Sequence, residues 1–131
     1  MPPSVTVLGD AVLDVHVVPS APMRIDEDVP AAVTLLPGGQ GANIAVRLAR
    51  RGVPATLVCA LGADAAGVVL REALSGEGIT VRAVNAPTTG TVVVLLDAQG
   101  GRTMLSQRAP LIGQIDSRSF GSGNGWVVVS G

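Results

Sequence analysis

Apolar and polar positions alternate along the first third of this chain in a way that predicts strands. Ser4–Leu8 reads as a short buried strand that ends at Gly9. Val12–Val18 has a period of two: Val12, Asp14, His16 and Val18 on one side, Leu13, Val15 and Val17 on the other. That is a strand with two different faces. The stretch 19–30 holds three prolines and the acids Asp26, Glu27 and Asp28, so it is expected to be an exposed connection. Ala31–Leu36 is a further short strand, closed by Pro37 and two glycines.

The period then changes. In Gly41–Arg51, Ile44 and Leu48 are four apart, as are Ala45 and Ala49, which gives one apolar helical stripe. Arg47, Arg50 and Arg51 sit toward the C-terminal end, where cations suit the helix dipole. Gly52 is placed to close the helix, and Pro54 prevents continuation. Strand Ala55–Ala60, helix Asp64–Leu74 with Asp64 as N-cap, and strand Ile79–Val84 follow. This order predicts an α/β fold with right-handed crossovers and a largely parallel sheet. Residues 90–97 and 101–107 form a hairpin across Ala98, Gln99 and Gly100, an excursion from that sheet. Leu111–Phe120 is expected to be a short helix and 121–125 a loop. Trp126–Ser130 resembles a central strand covered on both faces. No crossover helix follows it before Gly131, so the chain is expected to be an N-terminal portion of a larger fold.

Composition narrows the chemistry. The 131 residues are 47% hydrophobic with one Phe, one Trp and no Tyr, so the core must be built from Val, Leu, Ile and Ala. The formal charge of −1, without runs of either sign, gives no reason to expect nucleic acid or an anionic membrane surface as partner. All nine cationic residues are Arg. Without Lys the chain can supply neither a Walker A loop nor a Schiff-base amine. One Cys, Cys59, and one His, His16, cannot build a disulfide or a His/Cys zinc site. Cys59 lies in an apolar run and reads as a buried structural thiol. No apolar stretch has transmembrane length, and Met1-Pro2-Pro3-Ser4 lacks a basic leader, so a cytoplasmic location is the default expectation.

Two segments are candidates for function. In Gly38-Gly39-Gln40-Gly41-Ala42-Asn43, paired glycines permit close backbone approach, a helix N-terminus follows, and Gln40 and Asn43 can both donate and accept. An ordinary Gly-rich turn before a helix fits those glycines as well. A dinucleotide site fits poorly, because the third small residue would fall at Ile44. In Gly9-Asp10-Ala11-Val12-Leu13-Asp14, two carboxylates follow the first strand at the end where open α/β sheets place ligands. The plainer reading is that Asp10 caps the loop and Asp14 faces solvent.

Taken together and in this order, these segments resemble the ribokinase-like (PfkB) carbohydrate kinases. The likeness runs through VTVLGDAVLD, PGGQGANIAVRLARRG, ATLVCALGADAAGVVLREALSGEGI, TTGTVVVLLDAQGGRTML and WVVVSG, essentially the whole chain. The resemblance implies an incomplete ribokinase-like, Rossmann-like parallel sheet with flanking helices plus a small β lid, made from about 12–36 and 90–107. It implies a sugar or polyol substrate held by Asp14, Gly39, Gln40 and Asn43, with Gln40 standing where many members have Lys. Arg108 follows the second lid strand in wording unlike the usual one and takes no role from the resemblance. The family uses ATP and Mg2+, but its catalytic signature, Asp-Thr-x-Gly-Ala-Gly-Asp, is absent here. The chain alone is therefore expected to bind sugar without phosphorylating it, the alternative being a non-catalytic binding or interaction remnant. Lid strands pair between subunits in some members, which makes a homodimer through the lid a further expectation. Ribose, fructose, a keto-deoxy sugar acid and a nucleoside all remain open as substrates.

Overall fold

The computed structural model describes residues 3–109 and 125–130. Ten elements follow in chain order: β1 (Val5–Leu8), β2 (Val12–Pro19), β3 (Ala31–Gly38), α1 (Gln40–Arg50), β4 (Ala55–Gly62), α2 (Ala65–Gly76), β5 (Thr80–Ala86), β6 (Thr91–Leu96), β7 (Arg102–Gln107) and β8 (Trp126–Val129). The helix expected over Leu111–Phe120 lies outside the described residues.

The strands form two sheets. The first has the order β5-β4-β1-β8, with every neighbouring pair parallel. Stepping from β1 to β4 to β5 moves in one direction across the sheet, so right-handed crossovers set α1 and α2 on the same face. Val7, Leu57, Cys59 and Leu61 on that face share one core with Ala42 and Ala45 of α1 and Leu70 and Leu74 of α2. Small residues on α1 let it lie close to the sheet, and the leucines of α2 fill the space beyond.

Both helices end as their sequences dictate. Gly52 has φ 76° and returns its N–H to the Ala49 carbonyl. Asp64 caps α2, its Oδ1 accepting the Gly67 N–H at 2.9 Å. Arg50 at the end of α1 reaches Glu77 beyond α2, Nε to Oε2 at 2.9 Å, and ties the two helix ends together on the surface.

Among the described residues strand β8 pairs with β1 alone and stands at the sheet edge. Trp126 and Val129 are each 71% exposed.

The second sheet, β3-β2-β6-β7, is mixed: β2 runs antiparallel to β3 and parallel to β6, and β6 runs antiparallel to β7. It is the excursion expected from 90–107, joined by the two strands on either side of the proline-rich connection. Its alternation sorts residues cleanly. Asp14 pairs with Leu36 and Val92, His16 with Thr34 and Val94, and Val94 with Met104, so these share one face. Val15, Val33, Leu35, Val93 and Leu105 share the other.

Thr89 locks this second sheet to the first. It is 2% exposed and lies two residues before β6. Its Oγ1 donates to Asp64 Oδ1 at 2.6 Å and accepts the Gly62 N–H at 2.9 Å, while its own N–H donates to Asp64 Oδ2 at 2.8 Å. These bonds, with those from backbone N–H groups, hold the Asp64 carboxyl below its usual range. Thr89→Val keeps the shape but leaves the buried Gly62 N–H unpaired, a loss of about 1–3 kcal/mol. A urea denaturation midpoint unchanged in that variant would contradict the role given to the hydroxyl.

Candidate functional site

The site grows from a close backbone approach. The turn after β1 passes directly against the first turn of α1, and glycine occupies both sides. A Cβ on Gly41 would lie 2.8 Å from the Asp10 carbonyl oxygen and from Gly9 backbone atoms, and one on Gly9 would lie 2.9 Å from the Gly41 Cα. Gly39 has φ 91°, a conformation open to glycine and strained for other residues. The sequence demands these glycines because no side chain fits where the two segments touch.

That approach lets Asp10 finish the helix. The N-cap residue of α1 is Gly39, which has no side chain to offer. Asp10 supplies the missing acceptors from 31 residues away: its Oδ1 takes the Gly41 N–H at 3.1 Å, and its carbonyl takes the Ala42 N–H at 3.0 Å. These are the two amides that a capping side chain ordinarily serves. Asp10 therefore does cap, as its plainer reading expected, but it caps a helix rather than its own loop.

Asp14 lies on β2, at the face that looks toward this helix end. Gly38 stands close to it, and a Cβ there would overlap the Asp14 carboxylate. The carboxylate is partly buried, and burial raises its pKa above the usual carboxylate value, while His16 and Arg102 act in the opposite direction. His16 Nε2 lies 3.9 Å from Asp14 Oδ2, too long for a hydrogen bond. The carboxylate oxygens thus retain acceptor capacity.

The four sequence-derived candidates meet in one place. Asp14, Gly39, Gln40 and Asn43 line a cavity of about 370 Å³, together with Asp10, Val12, Val92, Met104 and Arg108. One side is the helix end, rich in N–H groups and amides. The other is the second sheet, which offers a carboxylate among apolar residues. Chemically, a carboxylate can accept from hydroxyls, the amides of Asn43 and Gln40 can both donate and accept, and Val12, Val92 and Met104 add apolar surface.

The lining from β6 and β7 was not among the candidates. Its signal is the period of two in Arg102-Thr103-Met104-Leu105-Ser106-Gln107, which becomes informative once the pairing of β7 is known. Cys59 takes no part. It is fully buried and its thiol is pushed up to about 11, chiefly by that burial.

The raised pKa of Asp14 has a testable sign. The folded state holds this proton more tightly than the unfolded chain, so ionising Asp14 works against folding. Stability should fall as pH rises from the ordinary carboxylate value through the raised one, and Asp14→Asn should lack that fall. At pH 7 the Asn variant should melt at or above the parent temperature, and a clearly lower melting temperature would refute the burial argument.

The chain is similar to several known proteins. Residues 3–117 match the family model described as pfkB family carbohydrate kinase. A fructokinase from Salmonella typhimurium is 38% identical over 102 residues, which cover 76% of this chain and 30% of that protein. The structure of Arabidopsis thaliana ribokinase complexed with ribose and ATP superimposes with a TM-score of 0.71 at 34% identity, over 83% of this chain and 37% of that one. A ribokinase from Cryptococcus neoformans in complex with ADP gives a TM-score of 0.72 at 22% identity, over 98% of this chain and 41% of its own length, and shares the fold. The chain thus spans about a third of the length of the relatives it matches.

Proposed function

Since the chain belongs to the pfkB family of carbohydrate kinases, we propose that it is the sugar-gripping portion of an ATP-dependent kinase that phosphorylates a sugar hydroxyl. The observation that carries the reading is the meeting of Asp14, Gly39, Gln40 and Asn43 around one cavity of about 370 Å³. In this reading Asp14 accepts from two adjacent hydroxyls and Asn43 grips the next. The second sheet is the lid that covers the sugar and excludes water.

ATP and Mg2+ supply the transferred phosphoryl group and its charge neutralisation in such a reaction. This reading assigns them no residue of the span. Among the described residues no group of three or more His, Cys, Asp or Glu side chains is placed to hold a metal ion. The sequence holds no Lys to lie on the phosphates. We place the nucleotide site in the stretch that the relatives have beyond this span, and the present residues bind and orient the sugar.

The lid carries a further expectation. Val33, Leu35 and Leu105, on the face away from Asp14, are 59%, 49% and 59% exposed. This apolar face supports pairing with a second copy through the lid.

The test is titration of the 131-residue chain with ribose and fructose, alongside ADP release in the presence of ATP and Mg2+. Saturable binding without ADP release is expected. Turnover at about 1–100 per second, the ordinary range for kinases, would overturn the division of labour. No binding of any pentose or hexose would overturn the sugar site.

A further inference from the structure

We propose that His16 is a positioning residue for the sugar-gripping carboxylate: set two residues from Asp14 on the same face of β2, it keeps that carboxylate an ionised acceptor when the site fills on the acid side of neutrality. This role rests on the sugar-binding reading above and gives that site a regulation by pH.

The pairings of β2 put the two side chains next to each other. Asp14 stands between Leu36 and Val92, and His16 between Thr34 and Val94, on one face of the second sheet. His16 Nε2 lies 3.9 Å from Asp14 Oδ2, with the two side chains 33% and 26% exposed. Closing that gap to the length of a charge-assisted hydrogen bond, about 2.8 Å, takes roughly an ångström of side-chain motion. An imidazolium has an N–H on each ring nitrogen, so Nε2 meets Oδ2 as a donor whenever the ring is charged. Asp14 lines the cavity and His16 stands behind it, one pairing step farther from the helix end.

Among the described residues the ion pair of Asp14 is with His16 alone. β3 and β6 offer the carboxylate Leu36 and Val92, and α1 brings the neutral Gln40 and Asn43. Arg102 of β7 shares the face but pairs with Leu96, farther along the strands than His16, and is exposed. Of the charged groups that line the cavity with Asp14, Asp10 has its Oδ1 engaged by the Gly41 N–H at 3.1 Å, and Arg108 is exposed. α2, which also meets β2, carries Arg71 and Glu72, both exposed. A sugar entering this cavity displaces water from a carboxylate flanked by Val12, Val92 and Met104. Desolvation favours the protonated carboxyl, and an opposite charge within about 4–6 Å favours the ionised one. Both causes already act on Asp14, burial raising its pKa and His16 lowering it. When water leaves the site, a charged His16 therefore opposes the proton that would remove an acceptor from the sugar.

The experiment is calorimetric titration of the 131-residue chain with ribose and fructose from about pH 4.5 to about pH 8, the span over which histidine changes charge, for the parent, His16→Gln and His16→Arg. Carbon-13 NMR follows the Asp14 carboxyl over the same range without sugar, its resonance assigned by its absence from Asp14→Asn. Sugar affinity should fall toward acid as Asp14 takes up its proton. In His16→Gln the fall should begin at higher pH, leaving affinity about threefold or more below the parent at about pH 5 and within about twofold of it at about pH 8. His16→Arg, charged throughout, should restore the acid-side affinity. The Asp14 resonance should titrate at higher pH in His16→Gln and return in His16→Arg. A loss in His16→Gln that is the same at every pH, the mark of a purely structural role, or an Asp14 titration unmoved by the substitution would overturn the inference and leave the sugar site standing. If neither sugar bound the parent at any pH while the Asp14 titration moved as described, the sugar site would fall and the hold of His16 on the carboxylate would stand.

Discussion

Asp14→Ala is expected to weaken sugar binding about ten- to a hundredfold, because each sugar hydroxyl left unpaired in a closed site loses about 1–3 kcal/mol and 1.4 kcal/mol is a factor of ten. The size follows from how the carboxylate is held. It stands on a strand paired on both sides, between Leu36 and Val92, so it cannot drift from the cavity. Among the described residues its ion-pair partner His16 stands 3.9 Å away, so its acceptors are available to a ligand. Asn43→Ala should act in the same direction and less strongly, since an exposed amide on the first turn of α1 is more easily replaced by water. The two substitutions should be less than additive if both groups hold the same sugar. If the proposed kinase activity holds in a longer protein containing this span, the loss should appear in the Michaelis constant for sugar and leave that for ATP nearly unchanged. If both variants bound ribose and fructose like the parent, the cavity would not be the sugar site.

Much of this arrangement was legible in the sequence because it is local. The alternation of Val12–Val18 marks a two-faced strand and singles out Asp14 as a carboxylate in an apolar run. The four-residue spacing in Ile44/Leu48 and Ala45/Ala49 marks α1, and Gly52 and Asp64 mark helix ends by their own backbone and side-chain chemistry. What could not be read depends on pairings between distant segments. The Asp10 cap on Gly41 spans 31 residues and the Thr89 bond to Asp64 spans 25. Neither produces a periodicity. The parallel pairing of β2 with β6 joins residues 14 and 92, and only that pairing brings Met104 and Arg108 to the cavity.

The largest loss of stability is expected from Gly41→Val. The new Cβ would meet the Asp10 carbonyl oxygen and Gly9 backbone atoms at 2.8 Å, and backbone atoms cannot rotate out of the way as a side chain can. Relief requires the turn after β1 to move off α1. That motion stretches the Asp10 carbonyl from the Ala42 N–H, now at 3.0 Å, and Asp10 Oδ1 from the Gly41 N–H, now at 3.1 Å. Overpacking of this kind costs about 1–3 kcal/mol, and the lost cap adds about 1 kcal/mol. The same displacement would carry β2, and Asp14 with it, away from Gln40 and Asn43, so sugar affinity should fall together with the urea midpoint. Gly76→Ala provides the control. Nothing lies within 4 Å of its added Cβ, and it sits in the last turn of α2, so alanine there should be neutral or slightly stabilising. If Gly41→Val unfolded at the parent's midpoint, the contact between the β1 turn and the start of α1 would not be the tight backbone approach on which the geometry of this cavity depends.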